Sequence, residues 1–508
     1  MTNEETQPSG SSATEHTSPR PPIQRGKFVS GSIFRHVVTM TAAGSVGLLA
    51  VFSVDFANLF YISLLGETEL AAAIGYSATI MFFNNAVGIG MTIAGSAIVA
   101  RALGPGDKEL ARRRAGSALI TVFGIMVVLA SVLYNFIPDL LTLIGATGEA
   151  HEVAVGFLSI VIPSLPLLGI SMMLAGFLRA SGDAKASMLV TLSGGFASAV
   201  LDPIFIFGLD MGVTGAAIAS VLSRIVMIGA GLRGAVYLHN LVRLPRTFAE
   251  MLEHWKVLLP IALPAILTNV ATPVGNAYVT MAIAPYGDEV VAGWAIVGRI
   301  IPLSYTALFA LSGSVGPIFG QNLGARQMDR VKETLKASMY FILGYTTLIW
   351  LILFVAQEWI VLVFGAEGNT AEFVRYYCTW IAPSGIFLGF LFVTNAAFNN
   401  LGHPTYSTGF NWGRATLGTV PPVMLGTYLA GAEGALMGQA VGNFVFGLAA
   451  IVTCFYVINR EDHWRRSGHA RPTTGSLFPT GPVAIVFRQG QHVSAAKGQQ
   501  AVSLCVMS

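Results

Sequence analysis

Twelve stretches of about 20 or more mostly apolar residues succeed one another along this 508-residue chain, and that repetition leaves few folds open. A helix needs about 20 apolar residues to cross a bilayer. The stretches lie near 37–62, 70–99, 116–144, 154–178, 188–208, 213–232, 257–285, 291–319, 337–364, 374–399, 406–428 and 435–458. Charged residues make up only 11% of the chain and mean hydropathy is +0.66; soluble domains carry roughly 25% charge. The expected fold is an all-α integral membrane protein of twelve transmembrane helices. No connection between them is long enough for a soluble catalytic domain.

The charges that remain are sorted by side. Alternate connections hold Arg101, Lys108 and Arg112–Arg114, then Arg179 and Lys185, then Arg233, Arg243, Arg246 and Lys256, then Arg326, Arg330, Lys332 and Lys336. The opposite connections hold only Arg375, among many acids. Basic loops stay in the cytoplasm, so both termini are expected there, in a plasma (inner) membrane, which twelve crossings permit. Residues 1–34 read as a disordered cytoplasmic segment and 460–508 as a cytoplasmic tail of the same kind. The cysteines Cys378, Cys454 and Cys505 show no metal or disulfide spacing.

The chain repeats itself at a spacing near 220. Gly104 in ARALGPGDKELARRRA matches Gly324 in GQNLGARQMDRVKETL (324 − 104 = 220). Gly182 matches Gly402 (220), and Gly215 matches Gly434 (219). Each pair falls on one side of the membrane. Six helices separate the members, so the halves are parallel repeats about an axis along the membrane normal. The reading is two six-helix bundles, 35–233 and 257–459, joined by a linker at 234–256 that holds a short amphipathic surface helix. The cargo site belongs at the repeat interface.

Acids inside the spans break the symmetry. Asp55 in the first span and Asp202 in the fifth lie at similar depth, where a carboxylate costs roughly 2.5–3.5 kcal/mol and marks an ion or substrate path. The repeat places Asn276 opposite Asp55 and a proline, Pro421 or Pro422, opposite Asp202. Coupling to a cation is therefore expected in the N-terminal half. Ser198 lies one turn before Asp202, and Pro203 frees a carbonyl in the preceding turn; Ser220 is a further candidate oxygen. Asn84, Asn276, Asn411, Gln439 and Asn443 are candidate polar groups of a substrate cleft. Arg299 and Arg414 read as the only deep cations, with Arg414 near enough to the basic side to snorkel there.

These residues resemble the multidrug and toxic compound extrusion (MATE) family over roughly 35–458. LDPIFIFGLDMGVTGAAIAS is similar to the family's junction of fifth and sixth helices; ARALGPGDKELARR, FLRASGDAKASM and SVDFANLF are similar to other family segments. The resemblance implies drug-for-cation antiport by rocking of two bundles. It also implies a cation site at Asp55, Ser198, Asp202 and Ser220, where many relatives carry Asp, Asn, Asp and Thr. Some relatives bear acids in the seventh and tenth helices; none occurs in those spans here, as in the DinF-like branch.

The function expected is a multidrug efflux antiporter that exports amphipathic, often cationic small molecules in exchange for H⁺ or Na⁺, with Asp55 and Asp202 metal ligands only if the ion is Na⁺. Its partners are then a drug or toxic metabolite and the lipid bilayer, with no nucleic acid, ATP or cofactor and no need of a second copy. The alternative in transport is a flippase for a lipid-linked precursor. An enzyme is not expected: no span pairs a histidine with a carboxylate, and no nucleophile elbow or phosphate loop is present.

Overall fold

The computed structural model describes residues 26–63 and 68–467; within them the side chains at 55–60, 62, 63, 68, 69, 71 and 464–467 lie outside the description. The helices are α1 (Ile33–Ser63), α2 (Thr68–Leu103), α3 (Lys108–Asn135), α4 (Gly148–Ser181), α5 (Ala184–Gly208) and α6 (Gly212–Leu238), then α7 (Phe248–Tyr286), α8 (Asp288–Ser304 and Thr306–Gly324), α9 (Met328–Val363) and α10 (Gly368–Leu401). The last two are α11 (404–429) and α12 (432–467).

Among the described residues, ten stretches are long and apolar enough to span a membrane, and α8, bent by 46° at Tyr305, makes an eleventh. The twelfth comes from the 60-residue stretch Pro404–His463, which is two helices. Ala430 (φ −142°) and Gly431 (φ 60°) leave helical geometry. The chain then returns along itself. A Cβ on Gly426 would meet the carbonyl of Gly434 at 1.9 Å, one on Gly438 that of Pro422 at 2.4 Å, and one on Gly442 that of Gly418 at 1.8 Å. Each pair sums to 860, so the antiparallel hairpin turns at 430. The first half turns at Asp210 (φ 54°), 220 residues earlier.

The repeat is visible in local geometry. Gly182 (φ 89°) and Gly402 (φ 85°) end α4 and α10 in the left-handed conformation that glycine adopts without penalty. The linker differs from its sequence reading. Residues 234–238 continue α6, and α7 starts at Phe248 and runs unbroken through the position of the expected surface helix. A capping box sets that start: Thr247 Oγ1 accepts from Glu250 N (3.3 Å) and Glu250 Oε2 accepts from Arg246 N (3.0 Å). The linker is fixed to α3, where Arg243 and Arg112 both donate to Glu109 and hold its carboxyl below the usual range.

The two halves exchange their first turns. Phe28, Ile33, Val37 and Met40 pack into the core of α8, α9, α10 and α12. Leu258, Ile261 and Ala262 of α7 pack into that of α2, α3 and α4. The end that carries the Lys and Arg loops, here the basic end, is where the halves meet most closely. A Cβ on Gly104 would lie 2.0 Å from the Gln321 carbonyl, and one on Gly324 would lie 2.1 Å from that of Arg101. Since 321 − 101 = 220 and 324 − 104 = 220, the second contact is the first one rotated about the pseudo-two-fold. Ala100 and Gly320, themselves 220 apart, come together, and a Cβ on Gly320 would lie 2.8 Å from that of Ala100. The axis passes between them.

Hydrogen bonds seal this end. Arg101 donates to Asn399 O (2.7 Å), and its counterpart Gln321 donates to Ala180 O (2.7 Å). Gly26–Gly31 straps the seam. Gly26 N donates to Gly104 O, Phe28 N to Gln321 Oε1 (2.8 Å), and Lys27 to Gly182 O (2.9 Å). Arg330 holds the strap's carbonyls at Phe28, Ser30 and Gly31.

Candidate functional site

In the N-terminal half the site is built on α5. Asp202 is wholly buried, and Ser198, one turn earlier on the same face, is buried with it. Pro203 follows inside the helix, so the Ala199 carbonyl lacks its usual donor. The helix then widens into a π turn over Ile204–Gly208, a feature found most often at functional sites. At the turn into α6, a Cβ on Gly215 would come within 2.6 Å of the Phe205 carbonyl, so glycine is what lets α5 and α6 meet there. Ser220, on α6, is half-buried, and its carbonyl accepts from Ser223 Oγ (2.8 Å).

Asp55 belongs to α1, and its side chain lies outside the described residues. The backbone fixes its level. α1 and α5 run parallel, with Gly47 against Thr191 and Ala50 and Val54 against Gly195. The offset at the first contact is 191 − 47 = 144, which sets position 55 beside position 199. That is within one turn of both Ser198 and Asp202.

In the C-terminal half three hydrogen-bonded groups of polar side chains follow one another at successive helical turns. Asn411 donates to Asn395 Oδ1 (2.9 Å) and to Ser407 O (2.7 Å). Arg414 follows, one turn further along α11. It is 5% exposed and donates from Nη1 to Asn443 Oδ1 (3.1 Å) and from Nη2 to Thr272 Oγ1 (2.9 Å). One turn beyond, Gln439 donates to Asn276 Oδ1 (3.1 Å). Four of the five expected cleft residues thus stand in this series. Asn84 is not among them; it is buried on α2 and donates to Ile80 O of its own helix (3.2 Å).

Two readings of the cations are corrected. Arg414 does not snorkel: Thr272 on α7 and Asn443 on α12 draw its head sideways into the bundle. Nor are Arg299 and Arg414 the only deep cations, since Arg224 in the middle of α6 is buried as well. Arg224 donates to Val161 O (3.1 Å) and to Ser164 Oγ at the interruption of α4 over Ile162–Ser164. The signal was present, because GVTGAAIASVLSRIV puts this arginine in the middle of an apolar span. Thr272 and Asn395 were missed as well, lone polar residues whose helical faces hydropathy does not mark.

Known proteins share this plan. The MatE family model matches twice, over 45–204 and 264–424, an offset of 219 to 220 that coincides with the repeat. A protein of Shewanella oneidensis named FAD transporter is 27% identical over 441 residues, covering 86% of this chain and 96% of the relative. The multidrug export protein MepA of Staphylococcus haemolyticus is 23% identical over 445 residues, covering 85% and 96%. The Vibrio cholerae MATE transporter VcmN in its bent form superposes with a TM-score of 0.79 at 24% identity, over 85% of this chain and 98% of that one. With both halves matched by the family model, the chain belongs to the MatE family of membrane transporters.

Proposed function

We propose that this transporter is a secondary antiporter that exports amphipathic small molecules, cations among them, in exchange for H⁺. One observation carries the reading: the wholly buried carboxylate of Asp202 on α5, level with Asp55 on α1, in a half whose repeat counterpart holds an asparagine and a proline. A charged carboxylate is costly inside the membrane, which is why such residues mark proton and ion paths. A proton entering from outside would favour one arrangement of α1, α5 and α6, and cargo arriving from the cytoplasm would favour the other, each ligand acting through its differential affinity. Na⁺ would instead require several oxygens, for which Ser198, Ser220 and the carbonyl freed by Pro203 are candidates beside the two acids. Relatives named for FAD transport and for multidrug export suggest a broad cargo range. The low acid content of α7 and α10 supports the DinF-like assignment. In this reading the protein works as a monomer in the plasma (inner) membrane, without ATP.

The test is cargo efflux from proteoliposomes with the membrane potential clamped. A pH gradient without Na⁺ is expected to drive efflux. If a Na⁺ gradient at constant pH drives it and the pH gradient does not, the two acids are metal ligands instead.

Orientation is tested separately. With the basic end in the cytoplasm, a membrane-impermeant thiol reagent added to intact cells is expected to label a cysteine placed at Thr147 and to spare one at Lys108. The reverse pattern overturns the topology.

A further inference from the structure

The C-terminal half holds a charge that the coupling reaction does not use. Arg414 lies ten residues into α11, about 15 Å from its basic end, near the middle of the roughly 30 Å hydrocarbon layer. Its bonds, to an amide and a hydroxyl, are both neutral. Nε is buried and has no hydrogen-bond partner, and among the described residues no carboxylate pairs with this guanidinium. Hydrogen bonding therefore holds the head in place without balancing its charge.

The surroundings look built rather than incidental. Arg414 stands just before a break in its helix, where Thr416 leaves helical geometry (φ −105°, ψ −80°) and the next helical residue is Val420. Discontinuous helices at the middle of the membrane are where transporters place binding sites. One turn toward the other end, the Asn276–Gln439 pair is accessible, so the polar series that includes Arg414 reaches the surface. An amide pair left open at that depth faces water rather than hydrocarbon. The repeat sharpens the contrast: Gly194 stands where Arg414 stands in the other half (414 − 220 = 194), with Met227 packed against it.

We propose that Arg414, steered by Thr272 and Asn443 and reached past Asn276 and Gln439, is a binding site for an anionic oxygen group, a carboxylate or phosphate. A planar guanidinium with an unmatched Nε edge suits a two-oxygen acceptor. The two halves then differ in what they hold: a proton or cation at Asp202 and an acid group at Arg414. The inference goes beyond the antiport reading. Equilibrium binding tests it without any gradient, so either can fail while the other holds.

Purified protein in neutral detergent is titrated with dansylglycine, its neutral amide and dansylcadaverine, read by dansyl fluorescence. Dansylglycine is expected to bind at least about tenfold tighter than the amide, as a charged hydrogen bond allows. Asn443→Asp sets a carboxylate beside Nη1 and is expected to bring the acid-to-amide affinity ratio down to about one. Arg414→Lys keeps part of the preference and Arg414→Gln loses it. Phosphatidylglycerol added to the wild-type protein separates the sources: displacement of dansylglycine assigns the site to a lipid headgroup, and no displacement assigns it to soluble cargo. Equal wild-type affinity for the three probes overturns the proposal. So does an Asn443→Asp variant that keeps the wild-type acid-to-amide ratio, because that is the behaviour of an arginine that never meets the ligand.

Discussion

Asp202→Asn is expected to reduce gradient-driven efflux to the level of empty vesicles while the protein stays folded. The substitution keeps the shape of a side chain that is wholly buried and removes its negative charge and its capacity to take up a proton. An amide of the same shape fills the same space, so the melting temperature is expected to stay close to that of the wild-type protein. Cargo binding at equilibrium stays within about threefold, since the acid's task is to link two equilibria. Asp55→Asn is expected to do the same. Asn276→Ala, at the matching place in the other half, lowers efflux only severalfold. Efflux and melting are measured on the same preparations. Retained gradient-driven efflux in Asp202→Asn, or equal loss in Asn276→Ala, would sink the assignment of coupling to the N-terminal half.

A single side chain on the pseudo-two-fold is expected to have an effect of similar size by another route. Gly324→Val places a branched group where even a Cβ would lie 2.1 Å from the Arg101 carbonyl. The clash is with backbone, so no rotamer relieves it, and α2 and α8 must separate at the basic end. Overpacking costs about 1–3 kcal/mol, which in a two-state equilibrium is a shift of roughly 5- to 150-fold. Gly104→Val, the symmetric change, has the same sign. Spin labels at Lys108 and Glu333, both exposed, are expected to report a longer separation, and transport falls because the basic end no longer closes. An unchanged distance distribution would show that this contact does not gate the basic end.

Much of the plan was legible because glycines and charges mark the connections. The 220-residue offset was found from Gly104, Gly182 and Gly215, and each sits where its backbone needs it: a crossing, a left-handed cap, a tight turn. The capping box Thr247–Glu250 was equally open to reading, yet the linker was read as a separate helix because its charges resemble an amphipathic face. Depth was legible too, since position along an apolar run converts to height. Rotation about the helix axis was not. Lipid-facing and bundle-facing surfaces are both apolar, so spacing placed Arg414 near a reachable boundary while packing turned it toward Thr272 and Asn443. The bend of α8 at Tyr305 and the π turn after Pro203 escaped for a related reason. Proline flags a disturbance, and the neighbouring helices decide whether it becomes a bend, a widened turn or nothing.

The strap at Gly26–Gly31 has a consequence for how the molecule is made. Phe28 and its partner Gln321 leave the ribosome 293 residues apart (321 − 28 = 293). At about 5–20 residues per second that interval is roughly 15–60 s. Over it, the helices up to α7 are made while the basic end is unsealed and Phe28 lacks the partner it will meet. A chain cut short before α8 lacks Gln321 and never acquires this part of the seal.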